Sequence, residues 1–259
     1  MSSLIPPDAH AWPTHWQVPT GLDLEQMEAA YRRGLLPVHA PLLHQPVAPV
    51  QLGSGAVEKV AEALYRVARE QADAGAGRMV GLAAPQIGIG ARAFLFDPRE
   101  SPADPWPPAE ELPCLINPTV EPLGPTQERE MEGCLSTGRI RGWVTRAARV
   151  RVRGNTHTGE QIDQEYTGLA ARVLQHEADH LDGILFPDRI TDDDDLLWAS
   201  AEHDEQFLSY VRACRRGEGL PWNDRLPRDQ WKAIREGLSV FGHLGESIDR
   251  LIPPETGHE

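Results

Sequence analysis

The stretch Gly168–Gly183, GLAARVLQHEADHLDG, constrains this chain more than any other. It reads as one helix that stops at Gly183, where a residue without a Cβ can take a left-handed C-terminal conformation. At about 100° per residue its side chains sort onto three faces. Leu169, Val173, His176, Glu177 and His180 share the first. Ala170, Ala171, Leu174, Ala178 and Leu181 make a second, apolar face suited to close packing. Arg172, Gln175, Asp179 and Asp182 form a polar third stripe. On the first face two imidazoles at i and i+4 stand one above the other and can grip one metal ion, with the Glu177 carboxylate beside them. The competing reading is a pair of buried histidines satisfied by hydrogen bonds.

The 259 residues are enough to bury a sizeable core, as one large domain or one domain with extensions. Three cysteines, Cys114, Cys134 and Cys214, are odd in number and widely spaced, which argues against a disulfide framework and for a reducing cytoplasm. No secretory signal is recognisable at the N-terminus, and no window has the length of a membrane-spanning segment. A formal charge of −14 speaks against direct binding of nucleic acid or an anionic membrane.

Residues 1–38 are rich in Pro, His and Trp, with a short helix expected at Leu24 to Arg33, and read as an N-terminal extension. Pro41 to Gln51 is Pro-spaced and extended. Val57 to Gln71 carries a helical stripe of Val57, Val60, Ala61, Leu64, Val67 and Ala68. The small residues of Met79 to Gly88 imply backbone lying close to a neighbouring strand or a ligand. Strands are expected at Arg92 to Phe96 and Cys114 to Val120, with a Pro-rich loop from Asp97 to Leu112. A turn is expected at Gly138 to Gly142. An alternating strand, Arg146 to Arg153, should turn Val150 and Val152 inward and pair with Glu160 to Tyr166. Short hairpin-linked strands with one late helix predict an α+β domain: mixed, mostly antiparallel strands packed around the central metal-binding helix, with a helical C-terminal extension. The domain is expected to span 39–189. From Pro187 onward there are 16 acids against 9 bases. The acidic run Asp192 to Asp195 reads as a solvated helix start, and apolar spacing through Leu251 suggests two or three helices in an acidic extension, 190–259.

A catalytic metal site wants three protein ligands and an open position. No glutamate or histidine stands downstream at a metalloprotease spacing. Upstream, Cys134 lies between Gly133 and Leu135 in a segment without apolar alternation; it is either a thiolate ligand or an ordinary small buried residue.

Three motifs in this order and at this separation, Gly81-Leu-Ala-Ala-Pro-Gln86, Glu132-Gly-Cys-Leu-Ser136 and His176-Glu-Ala-Asp-His180, resemble the signature motifs of the peptide deformylase family. Leu115-Ile-Asn-Pro118 and the Asp-Gly-Ile-Leu-Phe after the histidines are similar too, and the likeness spans about Leu36 to Arg189. The resemblance implies a metallohydrolase that removes the N-formyl group from N-formylmethionyl peptides. Its metal ligands would be Cys134, His176 and His180, around one divalent ion, ferrous iron by family habit, with nickel, cobalt or zinc as alternatives. Glu177 would be the general acid/base. Gln86 and the backbone N–H of Leu135 would hold the oxyanion. Each role has a chemical reason. Attack on a formamide builds charge on its oxygen, which two N–H donors stabilise. A metal lowers the pKa of bound water. A nearby carboxylate can take that proton and return it to the departing amine. Leu169 and Val173 would line the pocket for the first side chain. Val80, Gly81 and Gly133 would belong to the substrate-binding set, the first two through their backbone. Glu132 would either support the site or pair with an arginine such as Arg141.

The sequence departs from the family pattern at Met79, where a glycine is usual, at Thr137-Gly138-Arg139, where Val-Pro-Gly or something close is common, and in an acidic tail where some members carry a basic ribosome-docking one. These departures leave room for two alternatives: a specialised hydrolase of one formylated small molecule or dedicated peptide, and a non-catalytic metal-containing scaffold. An intact Glu177 weighs against the scaffold, since a closed structural site has no use for a base.

Overall fold

The computed structural model describes residues 34–36, 38–53, 55–73, 80–99, 108–192, 195–199, 204–218, 222 and 224–235. The helix expected at Leu24 to Arg33, Met79 and the apolar positions from Leu238 to Leu251 lie outside them. Strands β1 (Gly81–Ala83), β2 (Ala93–Phe96), β3 (Cys114–Pro122), β6 (Arg149–Thr156) and β7 (Gln161–Thr167) form one sheet in the order β1-β2-β3-β6-β7, every pair antiparallel. Strands β4 (Gln127–Gly133), β5 (Ile140–Ala147) and β8 (Leu196–Trp198) form a second antiparallel sheet in the order β4-β5-β8.

Two helices cover opposite faces of the larger sheet, as the two-residue period of its strands requires. Leu95, Cys114 and Ile116 face α1 (Ala56–Asp73), whose expected stripe of Val57, Val60, Ala61, Leu64, Val67 and Ala68 is buried throughout. Phe94, Phe96, Leu115, Val150 and Val152 face α2 (Gly168–Leu181) and meet Ala171, Val173, Leu174 and Leu181. Helix α2 therefore runs through the middle of the domain. It ends as expected: Gly183 has φ +73°, and a Cβ there would come within 2.6 Å of the Gln45 carbonyl carbon. Asn117, at φ +52°, sits in the irregularity of β3 and bonds both Val50 N–H (2.7 Å) and Val50 C=O (2.8 Å) through its side chain, tying down the segment before α1.

Two expectations need correction. Arg146 to Arg153 is not one strand. The chain breaks at Ala148, so Arg146 and Ala147 end β5 while Arg149 begins β6; the pairing of β6 with β7 and the burial of Val150 and Val152 stand. The turn expected at Gly138 to Gly142 is shorter, because β5 already starts at Ile140. The polar stripe of α2 is mostly engaged by the rest of the domain: Asp179 is buried, Gln175 bonds the Ala147 N–H and C=O at 3.1 and 2.9 Å, and Arg172 reaches Glu132, while Asp182 is exposed.

Beyond residue 189 the acidic run leads into strand β8, not a helix, and Leu196 and Leu197 are fully buried against β5. Helices α3 (Asp204–Arg215) and α4 (Arg228–Arg235) follow. Trp231 and Ile234 of α4 are buried with Ile140, Phe186 and Ile190.

Candidate metal centre

Cys134 stands where β4 ends and the 3-10 turn Leu135–Thr137 begins, so its thiol projects from a strand terminus toward α2. His176 and His180, one turn apart on α2, face it with their rings 5.1 Å apart and nearly perpendicular. One donor atom from each of the three side chains lies within 4.8 Å of the others, and Cys134 Sγ is 3.3 Å from His180 Nε2. Among the described residues this is the one group so arranged. A thiolate and two imidazoles at that separation suit one cation in tetrahedral coordination, with a fourth position left over.

The support for the donors is ionic and buried. His176 Nδ1–H donates to Glu132 Oε2 at 3.0 Å, which fixes the tautomer and leaves the other ring nitrogen facing the cysteine. Glu132 pairs twice with Arg146, at 2.7 and 2.9 Å, and once with Arg172, at 2.6 Å. Arg146 in turn bonds Asp179 at 2.8 Å, and Arg189 clamps the same carboxylate from the other side. Burial alone would raise the Glu132 carboxyl, but Arg146 and His176 hold it well below the usual carboxylate range. Burial lowers His180, which keeps its ring neutral as a ligand requires. Burial pulls His176 the same way, yet the Cys134 and Glu132 charges beside it raise it overall, so a proton and a cation compete for the same lone pair.

Glu177 is 3 % exposed and lies against Gly81 of β1. A Cβ at Gly81 would stand 2.7 Å from the carboxyl carbon, so only glycine leaves room. Glu177 Oε2 is buried without a hydrogen-bond partner, and burial pushes the carboxyl up to about 7. A group so placed can give and take a proton near neutrality. Gln86 sits in the turn Ala84–Ile87, and its amide is oriented by three contacts. Oε1 accepts from Ala83 N–H at 2.8 Å, while Nε2 donates to Ser136 Oγ at 3.1 Å and toward Cys134 Sγ at 3.3 Å.

The structure thus brings Gln86, Cys134, His176, Glu177 and His180 together, with Leu135 next to the cysteine and Gly81 under the glutamate. Val80, Leu169 and Val173 share one apolar cluster; Val173 is buried and the other two half-buried. Gly133 is exposed, with the Arg141 side chain over it. Glu132 takes Arg146 and Arg172, not Arg141, which donates to the Gly138 and Ile140 carbonyls. Sequence reasoning did not single out Arg146, Arg172, Asp179, Arg189 or Ser136. Asp179 inside His-Glu-Ala-Asp-His was the one available signal, and it was placed only in the polar stripe of the helix.

The polypeptide deformylase model matches residues 33–195. The chain belongs to that family. It is 48% identical over 114 residues to peptide deformylase 1 of Nitrosomonas europaea, a match covering 43% of this chain and 64% of that protein, so just under two thirds of the relative's length is spanned. Peptide deformylase 3 of Streptomyces avermitilis is 40% identical over 169 residues, 60% of this chain and 71% of the relative. Among solved structures, the class I type b peptide deformylase from Acinetobacter baumannii superposes with a TM-score of 0.52 at 31% identity, covering 61% of this chain and 97% of that one. Peptide deformylase 1B of Arabidopsis thaliana gives a TM-score of 0.52 at 26% identity, over 74% of this chain and 97% of that one. The α+β architecture is the family's, and the helix-centred donor group lies inside the matched region.

Proposed function

We propose that this protein hydrolyses the N-formyl group of N-formylmethionyl peptides, releasing formate and a free amino terminus. The observation that carries this reading is the convergence of a Cys-His-His donor group with a buried, unpartnered Glu177 oxygen on the same helix face. Cys134, His176 and His180 would hold one divalent ion, which supplies Lewis-acid polarisation and a more acidic water when bound. The donor set fits such a group: His176 has its outer nitrogen occupied by Glu132, leaving three donor atoms for one cation. We assign ferrous iron on family resemblance; thiolate plus imidazole suits zinc, nickel and cobalt as well.

The protein's own steps follow from the geometry. Glu177 accepts a proton from the attacking water and passes it to the departing amine nitrogen. The Gln86 amide N–H facing Cys134, with the Leu135 backbone N–H, receives the charge that develops on the formyl oxygen. Leu169, Val173 and Val80 offer an apolar wall for the first side chain. Gly81 and Gly133 leave backbone open to an extended peptide. Structures of the Acinetobacter baumannii protein with Met-Ala-Ser and with actinonin bound support a peptide as ligand. The three cysteines are free, in keeping with a cytoplasmic setting. No helix among the described residues is long and apolar enough to cross a membrane. No observation favours a dedicated small-molecule substrate or a scaffold.

The test compares an N-formylmethionyl peptide with its N-acetyl counterpart on anaerobically loaded protein. Formate release from the first, no acetate from the second, and loss of release in Glu177→Gln are expected. Equal turnover of both acyl groups would refute the formyl specificity.

A further inference from the structure

The matched family region stops at residue 195, yet the chain beyond it is built into the metal centre's surroundings. Strand β8 pairs Leu196–Trp198 with Ile140–Gly142, and Ala199 N–H donates to the Arg139 carbonyl at 3.1 Å. These bonds hold the loop that follows Cys134. Trp231 and Ile234 of α4 complete the apolar cluster of Phe186 and Ile140 against which Cys134 packs.

The same helix is pinned by polar bonds to the turn Phe186–Arg189. Asp188 caps that turn, accepting from Leu185 N–H at 3.0 Å. Its other oxygen accepts from Trp231 Nε1–H at 2.9 Å and from Arg235 at 3.1 Å. Arg235 Nε–H also donates to His44 Nδ1 at 3.0 Å, while His44 Nε2–H donates to the Val38 carbonyl at 2.6 Å, so N-terminal and C-terminal segments meet at one clasp. The clasped turn carries two residues that touch the metal centre's framework. Phe186, 1 % exposed, stacks on the His176 ring with centroids 6.1 Å apart and planes 23° apart. Arg189 clamps Asp179.

From these contacts we infer that α4 is a positioning element of the metal centre: the clasp of Asp188, Trp231, Arg235 and His44 holds Phe186 against His176 and the apolar cluster against Cys134. The inference rests on the metal-binding reading of those residues. A ligand held on its outer side re-forms its bond after each momentary opening, whereas a ring free to tilt lets the ion escape. If the helix merely added stability, breaking the clasp would lower the unfolding midpoint without changing that escape rate.

The experiment uses the full chain loaded with one equivalent of Co2+, which reports the thiolate through its absorption, and follows release to excess chelator. Trp231→Phe keeps an aromatic ring in the cluster but loses the indole N–H and part of the buried volume; Arg235→Ala leaves that volume untouched and removes the other two bonds, to Asp188 and His44; Lys232→Ala, exposed on the same helix, is the control. Expected are one equivalent bound by all four proteins and release roughly 3- to 10-fold faster in the two clasp variants, less than the roughly 10- to 100-fold that direct partners of ligands contribute, because the clasp acts one step further out. The control should match the unaltered chain. Unchanged release in both clasp variants, whatever their stability, would overturn the inference. Failure of the unaltered chain to take up one equivalent would instead overturn the metal reading beneath it.

Discussion

Gly81→Ala is the sharpest perturbation this site allows. The added methyl would lie 2.7 Å from the Glu177 carboxyl carbon and 2.8 Å from its Cγ. Carbon atoms settle at about 3.5 Å or more, so the carboxyl group has to retreat by about 0.8 Å. It has nowhere easy to go, being 3 % exposed on a helix locked by core packing, and β1 is fixed by pairing Gly81 with Phe96. Misplacing a catalytic group by about 1 Å costs on the order of 100-fold in rate, so kcat should fall about 30- to 100-fold, or about 2–2.7 kcal/mol of barrier. The cysteine and histidines are not touched, so one equivalent of metal should still bind. The assay is steady-state formate release from an N-formylmethionyl peptide, with metal content measured on the same sample. If Gly81 mattered only through a backbone contact to substrate, KM would rise and kcat would hold. A kcat within about threefold of the unaltered protein would refute the argument that this glycine seats the base.

Three further outcomes follow from the same geometry. Glu132→Gln leaves Arg146 and Arg172 without their buried anion and His176 without its charged acceptor; it should cost about 3–5 kcal/mol in urea denaturation and weaken metal binding at least about tenfold by chelator competition. Burial, reinforced by His44, pushes His39 down to about 4, while the unfolded imidazole takes its proton near 6.5. The folded state therefore binds fewer protons between those values, and the stability His39 contributes is present above about pH 6.5 and lost as pH falls toward 4, by about 2 kcal/mol after allowing for its partial exposure; the fall in urea unfolding free energy between those pH values should be smaller by that amount in His39→Asn. Ser136→Ala frees one N–H of Gln86, so kcat should fall about tenfold with little change in KM, less than loss of a whole oxyanion donor; an unchanged kcat would show that Ala83 alone orients the amide.

Much of this site was legible because helix α2 states its chemistry at a period of 3.6. His176, Glu177 and His180 stand on one face by arithmetic, and Ala171 and Leu174 are as buried as their stripe implied. Gln86 was legible only through motif resemblance, and the resemblance was needed to choose between the two readings of Cys134, since neither lies in a periodic segment. Arg146 escaped for a physical reason. Its alternation with Val150 and Val152 continues smoothly across Ala148, where the chain leaves one sheet for the other, and nothing in the pattern marks the change of partner. Asp179 escaped because a carboxylate on a helix reads as solvated until the arginines that bury it, 33 residues before and 10 after, are in place. Strand β8 is three residues long and follows four acids, too short for a period to show. Its existence depends on the free edge of β5.

The most direct test of the account is formate release measured against equivalents of bound metal. The protein is first stripped of metal and then titrated with ferrous iron under anaerobic conditions, beside Glu177→Gln and Cys134→Ala. The account predicts activity that rises in proportion to metal, stops at one equivalent, and is absent in Glu177→Gln although that variant binds a full equivalent. Cys134→Ala should lose tight binding and activity together. Formate release that is independent of metal, or retained in Glu177→Gln, would contradict it.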